Sequence, residues 1–251
     1  MMSAPGIPTP VHAPAPPAVS RVVRALCRPW MWYKRAVLGP RQSKAVIERV
    51  LGHDFAVWPG VLNPVTFRAG RYLAEFIARS PRLALESGGA GATALDLGTG
   101  CGILAIFAAT RGYKVTAVDI EPTAVSCARA NAILNRVEDR VSALQGDLFA
   151  PVEGQAFDVV VFNLPFFRGQ ARTPLEKAWM SPDVIECCAA GLSSVLKPNG
   201  AAYFVLSGHG DPKGMLAALA REGFSVERLD WRHFGVETMA IYGARHIPRR
   251  V

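Results

Sequence analysis

The 251 residues contain no apolar run of the eighteen or more needed to span a bilayer, and no uninterrupted apolar core of a secretory signal near the start. A soluble, cytoplasmic protein with no membrane contact is therefore expected. Cysteine is scarce and unpaired in pattern: Cys27, Cys101, Cys127, Cys187 and Cys188 form no C-x-x-C pair and are odd in number. That excludes a zinc ribbon and argues against a disulfide framework, so the five thiols read as reduced core fillers and no metal is expected. Charge is also sparse, at 19% against 50% hydrophobic residues. A chain of this length and balance buries one α/β core with a modest appendage, and two full domains would be a squeeze.

Acids are missing altogether from residues 1–47, where Arg21, Arg24, Arg28, Lys34, Arg35, Arg41 and Lys44 supply seven positive charges of the net +8. The remaining 21 bases face all 20 acids, so the body is nearly neutral and the basicity belongs to an arm. Residues 1–20 are dominated by Pro and Ala, a composition that cannot offset its ordering entropy and predicts disorder. Residues 21–40 mix bases with Trp30, Trp32 and Tyr33. They suit either a surface that stacks bases and holds phosphates or a basic helix that packs its aromatics on the domain. Nucleic acid or an acidic partner is the contact such an arm would make. Prolines 5, 8, 10, 14, 16 and 17 break the amphipathic helix that an organelle transit peptide needs.

The pattern predicts a helix from Gln42 to Leu51, a turn-rich stretch from Val57 to Pro64, a second helix from Phe67 to Arg79 and a Gly-rich linker at 87–91. Thereafter apolar runs at 93–97, 114–119, 141–145, 157–163, 201–207, 224–229 and 237–243 read as strands. Helical patterns fill 102–111, 121–134, 182–195 and 212–222. Repeated βα units imply a parallel sheet with right-handed crossovers and helices on both faces. Only Asp230 to Val236 separates the last two runs, so a hairpin should turn the final strand antiparallel. The expected divisions are a Pro/Ala-rich then basic arm at 1–40, a helical lid region at 41–90 and a cofactor-binding domain at 91–251.

The sharpest signal is Asp96-Leu97-Gly98-Thr99-Gly100-Cys101-Gly102, placed where the first strand of the domain turns into a helix. Glycines there allow a tight bend and a close approach of ligand to backbone. A nicotinamide enzyme wants G-x-G-x-x-G, which sets a pyrophosphate on the helix N-terminus, but position 103 is Ile. An acid two residues before the first glycine suits a cationic cofactor without phosphate. The arrangement resembles motif I of class I methyltransferases, and the resemblance implies S-adenosylmethionine (SAM) as cofactor. It also implies that Asp119, closing the second strand, accepts hydrogen bonds from the ribose hydroxyls, with Ile120 beside it. By the same likeness Asp147 and Leu148, after the third strand, grip adenine. The resulting cofactor set is Asp96, Gly98, Thr99, Gly100, Gly102, Asp119, Ile120, Asp147, Leu148 and Asn163.

The fourth strand empties into Asn163-Leu164-Pro165-Phe166, which is similar to the Asn-Pro-Pro-Phe/Tyr motif of HemK-type and "methyltransferase small domain" amino-methyltransferases. An amide or exocyclic amine nitrogen has its lone pair delocalised and needs alignment more than a strong base. An Asn oxygen and the next carbonyl can accept its two N–H bonds, and a Phe ring can stack on the planar group. Asn163, Pro165 and Phe166 are accordingly the catalytic candidates, and Leu164 departs from the motif proline while keeping the carbonyl. Pro59-Gly60-Val61-Leu62 with Gly70 looks like rRNA guanine-modifying members, although Arg68 stands where they often carry an acid. The tail from Asp211 to Thr238 looks more like release-factor glutamine methyltransferases. His209 and His233 fall in loops near the expected rim and receive no role.

The resemblance covers about residues 57–245. It implies a Rossmann-like seven-stranded sheet of order 3-2-1-4-5-7-6 with an N-terminal helical extension. The leading function is N-methylation of a glutamine-type amide in a protein. The alternatives are an exocyclic amine of rRNA or tRNA, a small-molecule nitrogen, and a non-catalytic SAM- or RNA-binding module.

Overall fold

The structure, a computed structural model, describes residues 13–16, 44–86, 91–164, 167–170, 180–235 and 237–247. Most of the basic arm, with its bases from Arg21 to Arg41 and its aromatics, lies outside the described residues. So do Pro165 and Phe166.

The first described elements correct an expectation. Where a helix was predicted over 42–51, the chain makes β1 (Val46–Val50) and β2 (His53–Val57), an antiparallel hairpin with Val50 opposite His53. Val46, Ile47 and Val50 are β-branched, which favours the extended backbone. Leu51 and Gly52 close a two-residue turn with φ of 49° and 86°, matching the twist of the two strands. A short apolar run of this kind is ambiguous by periodicity, and the glycine is what decides it. The lid region thus starts with a hairpin and continues with α1 (Arg68–Arg79) and α2 (Pro81–Glu86).

The domain proper runs β3 (Thr93–Leu97), α3 (Ile103–Thr110), β4 (Lys114–Asp119), α4 (Pro122–Leu134), β5 (Val141–Gln145) and β6 (Phe157–Phe162). Two dipeptide strands follow, β7 (Phe167–Arg168) and β8 (Met180–Ser181), paired in parallel. The chain ends with α5 (Val184–Val195), β9 (Leu196–Ser207), α6 (Pro212–Arg221), β10 (Phe224–His233) and β11 (Thr238–His246). The seven-stranded sheet has the order β10-β11-β9-β6-β3-β4-β5. Numbered within the sheet from β3 onward, this is the expected 3-2-1-4-5-7-6. β11 is antiparallel to both neighbours, as the missing crossover helix requires.

Alternation along the strands divides the core. Ala94, Ala117, Val159, Val161 and Tyr203 face α1, α3 and α4, whereas Leu95, Leu97, Val160, Phe162 and Phe204 face α5 and α6. On the second face Phe204 lies between Phe162, at 4.8 Å and 2° between planes, and Tyr242, at 5.6 Å and 18°. The buried Tyr242 hydroxyl needs an acceptor and donates to the Pro14 carbonyl at 3.0 Å. Ala13 packs in the same cluster, so residues 13–16 lie against the sheet inside a stretch expected to be disordered.

The ring stack joins β6, β9 and β11, and truncating its middle member removes contacts on both sides. Phe204→Ala should lower stability by about 3–5 kcal/mol. Urea titration followed by circular dichroism should show an earlier midpoint with an unchanged slope, and an unmoved midpoint would show that the stack contributes little.

Candidate active site

The carboxyl ends of β3, β4, β5 and β6 surround one cavity of about 440 Å³, within the size range of small-ligand sites. Its floor is the turn after β3. Gly98, Gly100 and Gly102 take φ of 68°, 55° and 83°, which explains a glycine at every second position. Gly98 and Thr99 donate their amides to the Val118 carbonyl at 2.9 and 3.0 Å, which ties the turn to the end of β4. Behind Gly102 there is no room either, since a Cβ there would stand 3.1 Å from Ala128 Cα.

Two carboxylates hold this turn from opposite sides. Asp96 is fully buried, and its Oδ2 accepts from the Thr99 hydroxyl at 2.7 Å and the Ala105 amide at 3.0 Å. Its other oxygen has no partner among the described residues, and the residue lies beneath the turn rather than on the cavity wall. Burial pushes the Asp96 carboxyl up to about 7, with the Thr99 and Ala105 donors pulling the other way. Asp119 does face the cavity. Its Oδ2 accepts from the Gly100 amide at 2.8 Å and its Oδ1 from the Glu121 amide at 3.0 Å. Burial raises its pKa and these two amides hold it down.

The other sequence candidates are brought together around the same space. Gly98, Thr99, Gly100, Asp119, Ile120, Asp147, Leu148, Asn163 and Leu164 line it. Gly102 shapes the floor without lining it, as Asp96 does. Ile120 is a large apolar side chain left 48% exposed at the rim, a plate suited to a flat aromatic base. Leu148 holds φ of 43°, an uncommon backbone for a branched residue, directly after Asp147. Asn163 sits beside α1, where a Cβ on Gly70 would come within 3.6 Å of its Nδ2. Among the described residues no hydrogen bond holds the Asn163 carboxamide. Leu164, in place of the motif proline, turns inward: it is 7% exposed, and a Cβ on Gly98 would meet its Cδ2 at 3.0 Å.

Other wall residues went unpredicted. Val61, Leu62, Pro64, Phe67 and Gly70 close one side, and Cys187 of α5 stands at the rim. Cys187 is exposed, unlike the buried Cys101, Cys127 and Cys188, so it is no core filler. The Gly60-Val61-Leu62 turn was the available signal for that wall, and nothing in the helical pattern of α5 marks Cys187. His209 falls in the turn after β9, whereas His233, expected in a loop, is the last residue of β10 and is bonded to the Thr238 hydroxyl at 2.8 Å; neither lines the cavity. Arg68 lies over the Phe234 ring at 5.9 Å.

The charged wall residues are Asp119, Glu121, Asp147 and Asp183, with no Lys or Arg among the described residues. An all-acidic wall repels a pyrophosphate and suits a cationic cofactor. SAM, with a sulfonium, an ammonium, a ribose diol and an adenine, fits these residues. No group of three or more metal-ligating side chains occurs among the described residues, and no described helix is long and apolar enough to cross a membrane.

The family model of the methyltransferase small domain matches residues 78–226, more than half of the chain. The chain belongs to this family. It is 54% identical over 69 residues to ribosomal protein L11 methyltransferase of Desulfitobacterium hafniense, covering 28% of this chain and 22% of that protein. It is 29% identical over 195 residues to release factor glutamine methyltransferase of Shewanella oneidensis, covering 72% and 66%. Among solved structures, the T. thermophilus 16S rRNA N2 G1207 methyltransferase in complex with AdoMet and guanosine superposes with a TM-score of 0.59. Identity there is 23%, over 81% of this chain and 50% of that one. The chain spans well under half the length of the L11 methyltransferases that it matches.

Removing the Asp119 carboxylate, whose charge-assisted bonds are worth roughly 1.5–3 kcal/mol, should weaken SAM binding by about 10- to 150-fold. Calorimetry on Asp119→Ala measures this, and unchanged affinity would reject the ribose clamp. Asp96 predicts a pH effect of defined sign. Its folded pKa lies above the unfolded value, so the free protein loses stability as pH rises from the ordinary carboxylate range to about 7. Between about pH 5 and pH 8 the wild type should lose on the order of 2 kcal/mol more than Asp96→Asn in denaturant titrations. Equal losses would place the pKa elsewhere.

Proposed function

We propose that this chain is a SAM-dependent N-methyltransferase whose acceptor is an uncharged planar nitrogen, a glutamine-type amide in a protein. The observation that carries this reading is a contrast within the cavity lining. The wall charges follow β4 and β5 or precede α5. Asn163 lies beside Gly70 of α1, and the lining contributed by Val61, Leu62, Pro64, Phe67, Gly70 and Gln170 carries no charged side chain among the described residues. A lysine amine would need a carboxylate to hold its ammonium or a base to remove a proton, and among the described residues this part of the lining supplies neither. A neutral amide needs only to be held flat and aimed.

Asn163 can do that. Among the described residues its carboxamide has no competing hydrogen bond, and its oxygen together with the Leu164 carbonyl can accept the two N–H groups of an amide. That orients the nitrogen lone pair along the line of transfer and favours the positive charge that develops on it. Bound SAM supplies the electrophilic methyl. The nitrogen–carbon bond forms as the carbon–sulfur bond breaks, and the nitrogen then releases a proton to solvent. Leu164 keeps the carbonyl in place by burying its side chain under Gly98, which offers an anchor where the family has a ring. The release factor glutamine methyltransferase relative, aligned over 72% of this chain, supports the amide reading.

Incubation with methyl-labelled SAM and fractionated lysate tests the acceptor class, with label in a protein band and in methylglutamine after proteolysis as the expected result. Label in RNA or in the small-molecule fraction would replace the amide by those acceptors, and no label anywhere would leave a binding module. With the acceptor in hand, Asn163→Ala should lower turnover about 10²- to 10³-fold while changing SAM affinity only a few-fold. Full activity in that variant would leave Asn163 as a strand cap.

A further inference from the structure

Asn131 is a fully buried polar side chain on α4 that does not touch the cavity. Its Oδ1 accepts the Ala56 amide at 2.7 Å, and its Nδ2 donates to the Ala56 carbonyl at 2.7 Å. The side chain thus pairs with β2 as a neighbouring strand would. The second Nδ2 proton goes elsewhere, to the Cys101 carbonyl at 2.8 Å. Cys101 belongs to the turn that floors the cavity, between Gly100 and Gly102. One carboxamide therefore joins the hairpin, α4 and the cofactor turn, with both amide protons used.

We propose that Asn131 is a positioning residue for SAM: it fixes the Cys101 carbonyl, and through Ala56 it makes the shape of the cofactor turn depend on the docked hairpin. The inference rests on the reading that the cavity holds SAM. The turn is otherwise held by Asp96 from below and Asp119 from the cavity side, and its third glycine has an unusual backbone with Ala128 behind it. A carbonyl at the centre of such a turn, left without a donor in a buried place, would tilt to find one. The Gly100 amide that Asp119 holds is one residue away, so the tilt would reach the ribose clamp.

Asn135 supplies the control. One turn later, at the C-terminal cap of α4, its Nδ2 donates to the Asp54 carbonyl at 2.9 Å and its Oδ1 pairs with His53 at 3.0 Å. It ties the same helix to the same hairpin and does not reach the cofactor turn. Both Asn131→Ala and Asn135→Ala should lower thermal stability. Only Asn131→Ala should weaken SAM binding, by about tenfold or more, when calorimetry is run where both variants are folded. Asn135→Ala should stay within about twofold of wild type, since it leaves the turn's bonds intact.

Equal SAM affinity in Asn131→Ala and wild type, or equal weakening in both variants, would overturn the proposal. A wild type that does not bind SAM would overturn the cofactor reading as well, so the two failures are distinguishable. Should Asn131→Ala not fold, hydrogen exchange on the wild type decides. SAM should slow exchange of the Ala56 amide more than of the β10 amides at the far edge of the sheet. Equal protection at the two places would count against coupling.

Discussion

The site depends on the cost of burying a carboxylate under a turn made mostly of glycine. A turn with three left-handed residues in five has little intrinsic preference for one shape, so its conformation must be imposed by hydrogen bonds. Asp96 imposes it from beneath by joining Thr99 to the first turn of α3, and Asp119 from the cavity by taking the Gly100 amide. Burial raises the Asp96 carboxyl most, and the nearby charge of Asp119 adds to it. A cationic ligand beside Asp119 would offset the negative charge gathered at this turn.

Much of the sheet was legible because its signals are local. The β3–α3 turn announces itself by glycine spacing. The ends of β4 and β5 fall where the apolar runs stop, and the shared order of strands follows once the βα repeats are recognised. The last hairpin was legible from an absence, a connection too short for a helix. The β1–β2 hairpin was not, because Gln42 to Leu51 is short enough to satisfy either period. Its pairing with Asn131 is a contact across 75 positions that no local pattern records. Strand ends were also understated: β9 begins at Leu196 and β10 continues to His233, past the apolar residues that marked them.

At the site the sequence indicated which loops matter and was less informative about direction. Asp119, Ile120, Asp147 and Leu148 line the cavity, whereas Asp96 lies beneath its floor. Both kinds of acid sit at a strand end, and only packing distinguishes an acid that meets a ligand from one that holds the turn. The wall from Val61 to Gly70 lies far from the motifs in sequence. It reaches the cavity because α1 packs on α3, with Gly70 close to both Asn163 and Ile103.

The close approach of Leu164 to Gly98 has an evolutionary consequence. The cavity residues assigned to ribose and base by the resemblance close or follow β3, β4 and β5, and the proposed nitrogen-orienting Asn163 follows β6. The chain reverses direction across the sheet between those two sets. Change on the later strands and loops can therefore retarget the reaction while cofactor recognition is inherited intact. The two halves pair along β3 and β6, and beyond the ends of those strands the glycine at 98 receives the leucine at 164. That seam confines the divergence: position 164 is free to vary in identity only among side chains that still fill the space above position 98.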